Sequence, residues 1–170
     1  LQKLAVSAEI SGSLAQTTVR MVLFNPNARV LEGTLQFPLQ DGQQVNAFAL
    51  DIDGAMRPAV PVDKARGREV FEAIARTNVD PGLLEVTQGN NFKLRIFPIP
   101  AHGTRTVEIG YAQPLNRRGR QWRYALPLDY GKVEQFDLSL TLNDKGAVPT
   151  VTGALGELVF AYSDGAWRAR

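Results

Sequence analysis

Hydrophobic residues recur at every second position over most of this chain. Leu4, Val6, Ala8 and Ile10 alternate with smaller or polar residues, and Leu31, Leu35 and Phe37 alternate with Glu32, Thr34 and Gln36. The same period runs through Phe92, Leu94 and Ile96, through Val107, Ile109 and Tyr111, and through Phe136, Leu138, Leu140 and Leu142. A period of two sends successive side chains to opposite faces, so each run predicts an antiparallel strand with one dry and one wet face. The run from Val19 to Phe24 differs. Val19, Met21 and Leu23 point one way while Val22 and Phe24 point the other, which predicts a strand covered on both faces.

Turn residues fall between these runs. Asp41-Gly42, Asp53-Gly54, Lys145-Gly146 and Asp164-Gly165 each read as a tight hairpin connection, with glycine supplying the positive φ that such turns need. One segment breaks the pattern. From about residue 63 to 77 the period lengthens to that of a helix, with Asp63 as N-cap and Gly67, Phe71, Ile74 and Asn78 on one stripe beside Val70. Glu69, Glu72, Arg68 and Arg76 face water in this reading, and Asp80-Pro81-Gly82 ends the segment. Gly67 lowers intrinsic helicity, so the helix must dock on a sheet to persist.

Many short strands with turns at this spacing define a sandwich or barrel. The fold class expected is mainly β, an antiparallel β-sandwich with one docked α-helix at about residues 63–77. The weakest joint is Asn116 to Arg120, polar and basic. It divides a module over residues 1–115 from C-terminal strands over 116–170, expected at Trp122 to Leu128, Glu134 to Leu142 and Leu158 to Tyr162 and expected to complete the same folded unit.

Composition narrows the chemistry. The 170 residues carry a net charge of only +2, too small an excess to imply a nucleic-acid partner. There is no cysteine, hence no disulfide and no thiolate metal site, and a single histidine precludes a histidine-rich one. No apolar run is long enough to cross a bilayer. The chain opens on Leu1 and reads as a fragment of a longer protein.

Several local motifs imitate functional sites. Asp137-Leu-Ser-Leu-Thr141 imitates the start of a metal-ion-dependent adhesion site, but the leucines alternating through it make its polar residues the wet face of a strand. Asp51-Ile-Asp-Gly54 imitates a calcium loop but lacks the later acidic ligands, so it reads as a turn. His102 lies between two strands and reads as a surface turn rather than a general base. Glu85 reads as one half of a structural ion pair or hydrogen bond. Asn116 to Tyr124 mixes four arginines with aromatics and reads as a solvated connector rather than a polyanion patch. Trp122 and Tyr124 are in register with Leu126 and Leu128 and are assigned to the core. No catalytic, cofactor-binding or metal-binding residue is assigned.

The order of these features resembles the VIT domain (vault protein inter-alpha-trypsin domain) family over roughly Ala8 to Leu115. The resemblance rests on Phe24-Asn25, Phe37-Pro38, the helix with Phe71 and Ala75, the following Leu84-Glu85, and a closing hairpin with Phe92, Pro98, Pro100 and Tyr111. Gly67 stands where alanine is more usual in the family, and Phe71 where tyrosine is common. The resemblance implies a helix integral to a β-rich module, no catalysis and no cofactor. It implies a role in protein interaction or scaffolding, with a von Willebrand type A domain following in the same parent chain as a partner, and an extracellular, cell-surface or cell-envelope location. The competing expectation is a carbohydrate-binding β-sandwich that uses exposed aromatics.

Overall fold

The computed structural model describes residues 1–76, 81–86, 91–146 and 148–170. Two positions of the expected helix stripe and its terminal turn, Asn78 and Asp80, lie outside them. In chain order the strands are β1 (Lys3–Ser11), β2 (Leu14–Phe24), β3 (Leu31–Pro38), β4 (Gln44–Ile52) and β5 (Ala55–Pro58). The helix α1 (Lys64–Arg76) follows, then β6 (Gly82–Val86), β7 (Asn91–Ile99), β8 (Thr104–Pro114), β9 (Asn116–Arg118), β10 (Gln121–Arg123), β11 (Gln135–Leu142), β12 (Ala161–Ser163) and β13 (Ala166–Ala169).

The strands form a large sheet of order β12-β13-β11-β1-β2-β8-β4-β5, a small sheet of order β3-β7-β6, and a separate β9–β10 hairpin. The predominance of antiparallel strands matches the alternation in the sequence. One pairing departs from it: β1 and β11 run parallel, from Lys3 opposite Gln135 to Ile10 opposite Leu142. Alternation specifies which face a side chain takes but not the direction of the neighbouring strand.

The principal core lies between the two sheets. Leu4, Val6, Val19, Met21, Leu50, Val107, Ile109 and Tyr111 from the large sheet meet Phe92, Leu94 and Ile96 from the small one, with Leu39 among them. Three strands cannot cover eight. The rest of the inner face is covered by irregular chain: Leu126, Tyr130 and Val133 pack against the principal core, and Tyr124, Leu158 and Phe160 pack on a second cluster of Ala8, Leu140 and Ala169.

These observations correct the C-terminal strand assignments. Of the segment 122–128 only Trp122 and Arg123 are strand, and Trp122 is 45% exposed rather than in the core. Leu158 and Phe160 precede β12, and Phe136 is exposed near the start of β11. The strand β2 is also not covered on both faces. Ala15, Thr17, Val19 and Met21 are buried, whereas Leu14 and Phe24 are exposed.

Two of the four expected hairpins form. Asp53-Gly54 joins β4 to β5 and Asp164-Gly165 joins β12 to β13, with positive φ at both residues of each turn. That is the backbone of a type I′ connection, matched to the twist of the paired strands. Asp41-Gly42 instead carries the chain from the small sheet to the large one, and Lys145-Gly146 lies in the long link between β11 and β12. A glycine turn reverses the chain; it does not decide which sheet the next strand joins.

The helix packs as a third layer on the outer face of the small sheet. Leu84 pairs with Leu94 and the residues on either side, Leu83 opposite Arg95 and Glu85 opposite Lys93, point away from the principal core. The carbonyl of Asp63 accepts the first helical bond from the Gly67 amide at 2.8 Å. A Cβ at Gly67 would lie 3.2 Å from Val62 Cγ2 and 3.3 Å from Leu83 Cδ1, so the glycine that weakens the helix is also what lets it sit close to β6. Phe71 is 2% exposed, beneath the Arg95 guanidinium at 4.4 Å from its ring centroid. Val70, expected beside the stripe, is exposed.

Phe71 is thus the main apolar contact of a helix too short to stand alone. Phe71→Ala is expected to lower stability by roughly 3–5 kcal/mol, read as a shift in the denaturant midpoint. An unchanged midpoint would show that the ion pairs alone hold the helix.

Candidate functional site

The family-motif residues do not converge on one cleft. The structure distributes them over three places, each a junction between elements.

The first junction is built around Asn25, where the chain leaves β2. Its side chain is 2% exposed and fully engaged. Its Nδ2 group donates to the carbonyls of Arg29 at 2.8 Å, Pro100 at 3.0 Å and Ile99 at 3.1 Å. Its Oδ1 accepts from the Asn27 amide at 2.9 Å and from Asn27 Nδ2 at 3.2 Å. The Asn25 amide itself donates to the Gly103 carbonyl at 2.9 Å, and the His102 amide to the Asn27 carbonyl at 3.1 Å. A single carboxamide thereby ties the end of β2 to the β7–β8 turn. Pro98 and Pro100 flank this turn half-buried, with the Phe97–Pro98 peptide cis and the Pro98 carbonyl accepting from Arg105 Nε at 2.7 Å. His102 is exposed at φ 49°. Phe24, just before Asn25, is 43% exposed.

The second junction joins α1 to the small sheet. Arg95 of β7 donates from Nε and Nη2 to both oxygens of Glu32, at 2.6 and 3.2 Å, and from Nη1 to Glu72 of the helix at 2.7 Å. Glu32 first and then Glu72 push its pKa up. Glu85, buried on the helix-facing side of β6, pairs with Arg68 of the helix. A buried carboxylate requires such a partner. Ala75 is half-buried here, Leu84 is half-buried on the opposite face of β6 against the principal core, and β3 ends with Phe37 and Pro38 opposite Phe92 and Asn91.

The third lies inside the large sheet. Tyr111 is 1% exposed in the principal core, and the Thr17 and Tyr124 hydroxyls share a hydrogen bond at 2.8 Å beside it. Burial pushes the Tyr111, Tyr124 and Tyr130 hydroxyls above the ordinary phenol range; Thr17 offsets part of this for Tyr111 and Tyr124. The Thr17–Tyr124 bond fastens the segment after β10 to the sheet.

Sequence reasoning did not find Arg68, Arg95, Asn27 or Tyr124 as partners. Arg95 reads as one more polar residue on a wet face, and nothing local reveals that a helix covers that face.

The residues of the imitated sites take the following places. Asp137 pairs with Lys3 at 2.8 Å across the β1–β11 boundary, which lowers its carboxyl below the usual range. Asp137 and Ser139 line a shallow, open groove of about 520 Å³ on the outer face of the large sheet, where Arg20 and Glu108 pair at 3.6 Å. Asp51 to Gly54 is a hairpin. Among the described residues no three His, Cys, Asp or Glu side chains are grouped to hold a metal ion. The segment from Asn116, read as a solvated connector, is instead a paired hairpin. The Tyr162 and Trp167 rings lie 5.1 Å apart at 57°, not coplanar as a sugar-stacking platform requires.

The fold and these junctions define a β-rich module in which Asn25, Phe71 and Glu85 each join one element to another. The chain belongs to the vault protein inter-alpha-trypsin (VIT) domain family, which it matches over residues 1–111. It is 29% identical over 119 residues to inter-alpha-trypsin inhibitor heavy chain H4 of Sus scrofa, covering 69% of this chain and 13% of that protein. It is 23% identical over 139 residues to inter-alpha-trypsin inhibitor heavy chain H6 of Homo sapiens, covering 81% of this chain and 11% of that one. The chain therefore spans only a small part of these relatives. Among solved structures, a mutant M1 zinc metallopeptidase from Deinococcus radiodurans bound to a Tyr-Ser-Ala substrate shares the fold, with a TM-score of 0.50 at 12% identity, over 99% of this chain and 37% of that one. A two-domain M1 zinc metallopeptidase mutant bound to L-arginine gives 0.51 at 11% identity, over 99% and 38%. At these identities the likeness concerns the fold alone.

Removing the Asn25 side chain takes a hydrogen bond from the Arg29, Ile99 and Pro100 carbonyls and from the Asn27 amide, the Ile99 bond being fully buried. Asn25→Ala is expected to cost about 3 kcal/mol. Asn25→Asp, which keeps the shape but loses the donors, is expected to cost at least as much. Thermal or denaturant melts of both variants check this, and a near-neutral Asn25→Asp would show that the donor side is dispensable.

Proposed function

We propose that this chain is a non-catalytic interaction and scaffolding module of a longer extracellular, cell-surface or cell-envelope protein. The observation that carries this reading is the use of Asn25, Phe71 and Glu85: each is consumed in joining one element to the next. In this reading all twelve family-motif residues, Phe24, Asn25, Phe37, Pro38, Phe71, Ala75, Leu84, Glu85, Phe92, Pro98, Pro100 and Tyr111, serve structure. The partner is a von Willebrand type A domain of the same parent chain. It docks near α1, where Val60, Val62, Val70 and Val86 are exposed around a helix that otherwise presents charge. Residues 116–170 complete the folded unit begun by residues 1–115, a reading supported by the β1–β11 pairing and by the packing of Leu126, Tyr130 and Val133.

Two experiments test this. Titration of the ¹⁵N-labelled chain with the downstream segment of its parent is expected to shift amide resonances at Val62, Val70 and Val86, and Val62→Asp with Val86→Asp to abolish the shifts. No perturbation there would refute the docking surface. Expression of residues 1–115 alone is expected to yield an aggregating or poorly dispersed protein, because β1 would lose its parallel neighbour and expose an edge. A soluble monomer with native-like amide dispersion would make the last third a separate appendage.

A further inference from the structure

The β9–β10 hairpin has no place in the roles described so far. Residues 116–123 hold Arg117, Arg118, Arg120 and Arg123 and no acid. All six strand residues are exposed, as are Gly119 and Arg120 of the turn. The base is firm: Leu115 is buried and its amide donates to the Ser13 carbonyl at 2.8 Å. Beyond it, Tyr124 is fastened to Thr17. The ribbon therefore projects from a rigid sheet end, beside the β1–β2 turn and Leu14, itself 51% exposed.

Register assigns the side chains to faces. Trp122 is opposite Arg117, and the guanidinium lies over the indole at 5.6 Å. Arg118 opposite Gln121, and Arg123 opposite Asn116, point to the other face, and Arg120 occupies the turn. Among the described residues no ion pair joins an acid to the four arginines. Cationic charge thus covers both faces and the tip of a ribbon whose one large apolar side chain is an exposed tryptophan.

We propose that this hairpin is a peripheral membrane-contact element that inserts its tip among anionic phospholipid headgroups, with the arginines paired to phosphates and Trp122 seated at headgroup depth. A soluble linear polyanion meets one face of a ribbon at a time. A headgroup layer surrounds the tip and engages both faces and the turn together. Arginine forks match phosphate oxygens, and tryptophan prefers the boundary between apolar and wet regions. Each basic residue near an anionic surface contributes roughly a fivefold gain in partitioning.

The test is co-sedimentation of the 170-residue chain with phosphatidylcholine vesicles, with and without phosphatidylglycerol. Binding is expected only with the anionic lipid. It should be lost as salt rises from about 0.1 to 1 M and the Debye length falls from about 10 to 3 Å. Each single Arg→Gln change at 117, 118, 120 or 123 should weaken binding about fivefold, and the quadruple variant should abolish it with an unchanged thermal melt. The emission difference between the native chain and Trp122→Phe should shift to the blue on binding. Equal binding to both vesicle types, an unaffected quadruple variant, or bound protein without the Trp122 shift would overturn the proposal. So would binding of dextran sulfate or duplex DNA by the hairpin while vesicles are ignored.

Discussion

An eight-stranded sheet presents more inner face than a three-stranded partner can hide, and this mismatch governs the rest of the molecule. Apolar surface left in water has a cost of about 25 cal/mol per Å², so the uncovered part must find another lid. Here the lid is irregular chain. The segment carrying Leu126, Tyr130 and Val133 lies over the principal core, and the one carrying Leu158 and Phe160 over the second cluster. Irregular chain cannot satisfy its own backbone as a sheet does, so it is fastened by side chains such as Tyr124 to Thr17.

The small sheet faces the opposite problem. Being narrow, it is covered on its outer side as well, by α1. The residues that would have been its wet face become a mixed layer in which Phe71 lies under Arg95 and Glu85 meets Arg68. A helix of this length contributes little apolar contact, so directional charge-assisted bonds set its position. Arg95 serves three groups at once: two carboxylates on different elements and the aromatic face between.

The parts of this architecture that were legible in the sequence are those set by local chemistry. Alternation placed Leu4, Val6, Leu94, Ile96, Val107 and Ile109 in the core, and the change of period placed the helix within a residue of either end. The parts that were not legible depend on what lies opposite. Trp122 to Leu128 alternates as a strand does, yet among the described residues no neighbouring strand completes a ladder beyond Arg123. Asp41-Gly42 has the chemistry of the Asp53-Gly54 hairpin, but the strands it joins belong to different sheets. The importance of Asn25 came through family resemblance and not through its own type, because an asparagine after a strand is ordinarily a turn residue. Its bonds to Arg29 and Asn27 are those of such a local turn, but the two to the Ile99 and Pro100 carbonyls exist only because a second, distant turn is brought against it.

The parallel pairing of β1 with β11 also bears on how the chain is made. β1 gains its first neighbour at once, through the two-residue link to β2, but its second is Gln135–Leu142. Loop closure over such a span is slow compared with hairpin formation. At ribosomal speeds of about 5–20 residues per second, the interval between the two strands is of order ten seconds. During that interval the N-terminal strand is a half-made edge, open to whatever nascent segment or chaperone reaches it first. Synthesis must therefore deliver β11, as far as Leu142, before the middle of the largest sheet can close.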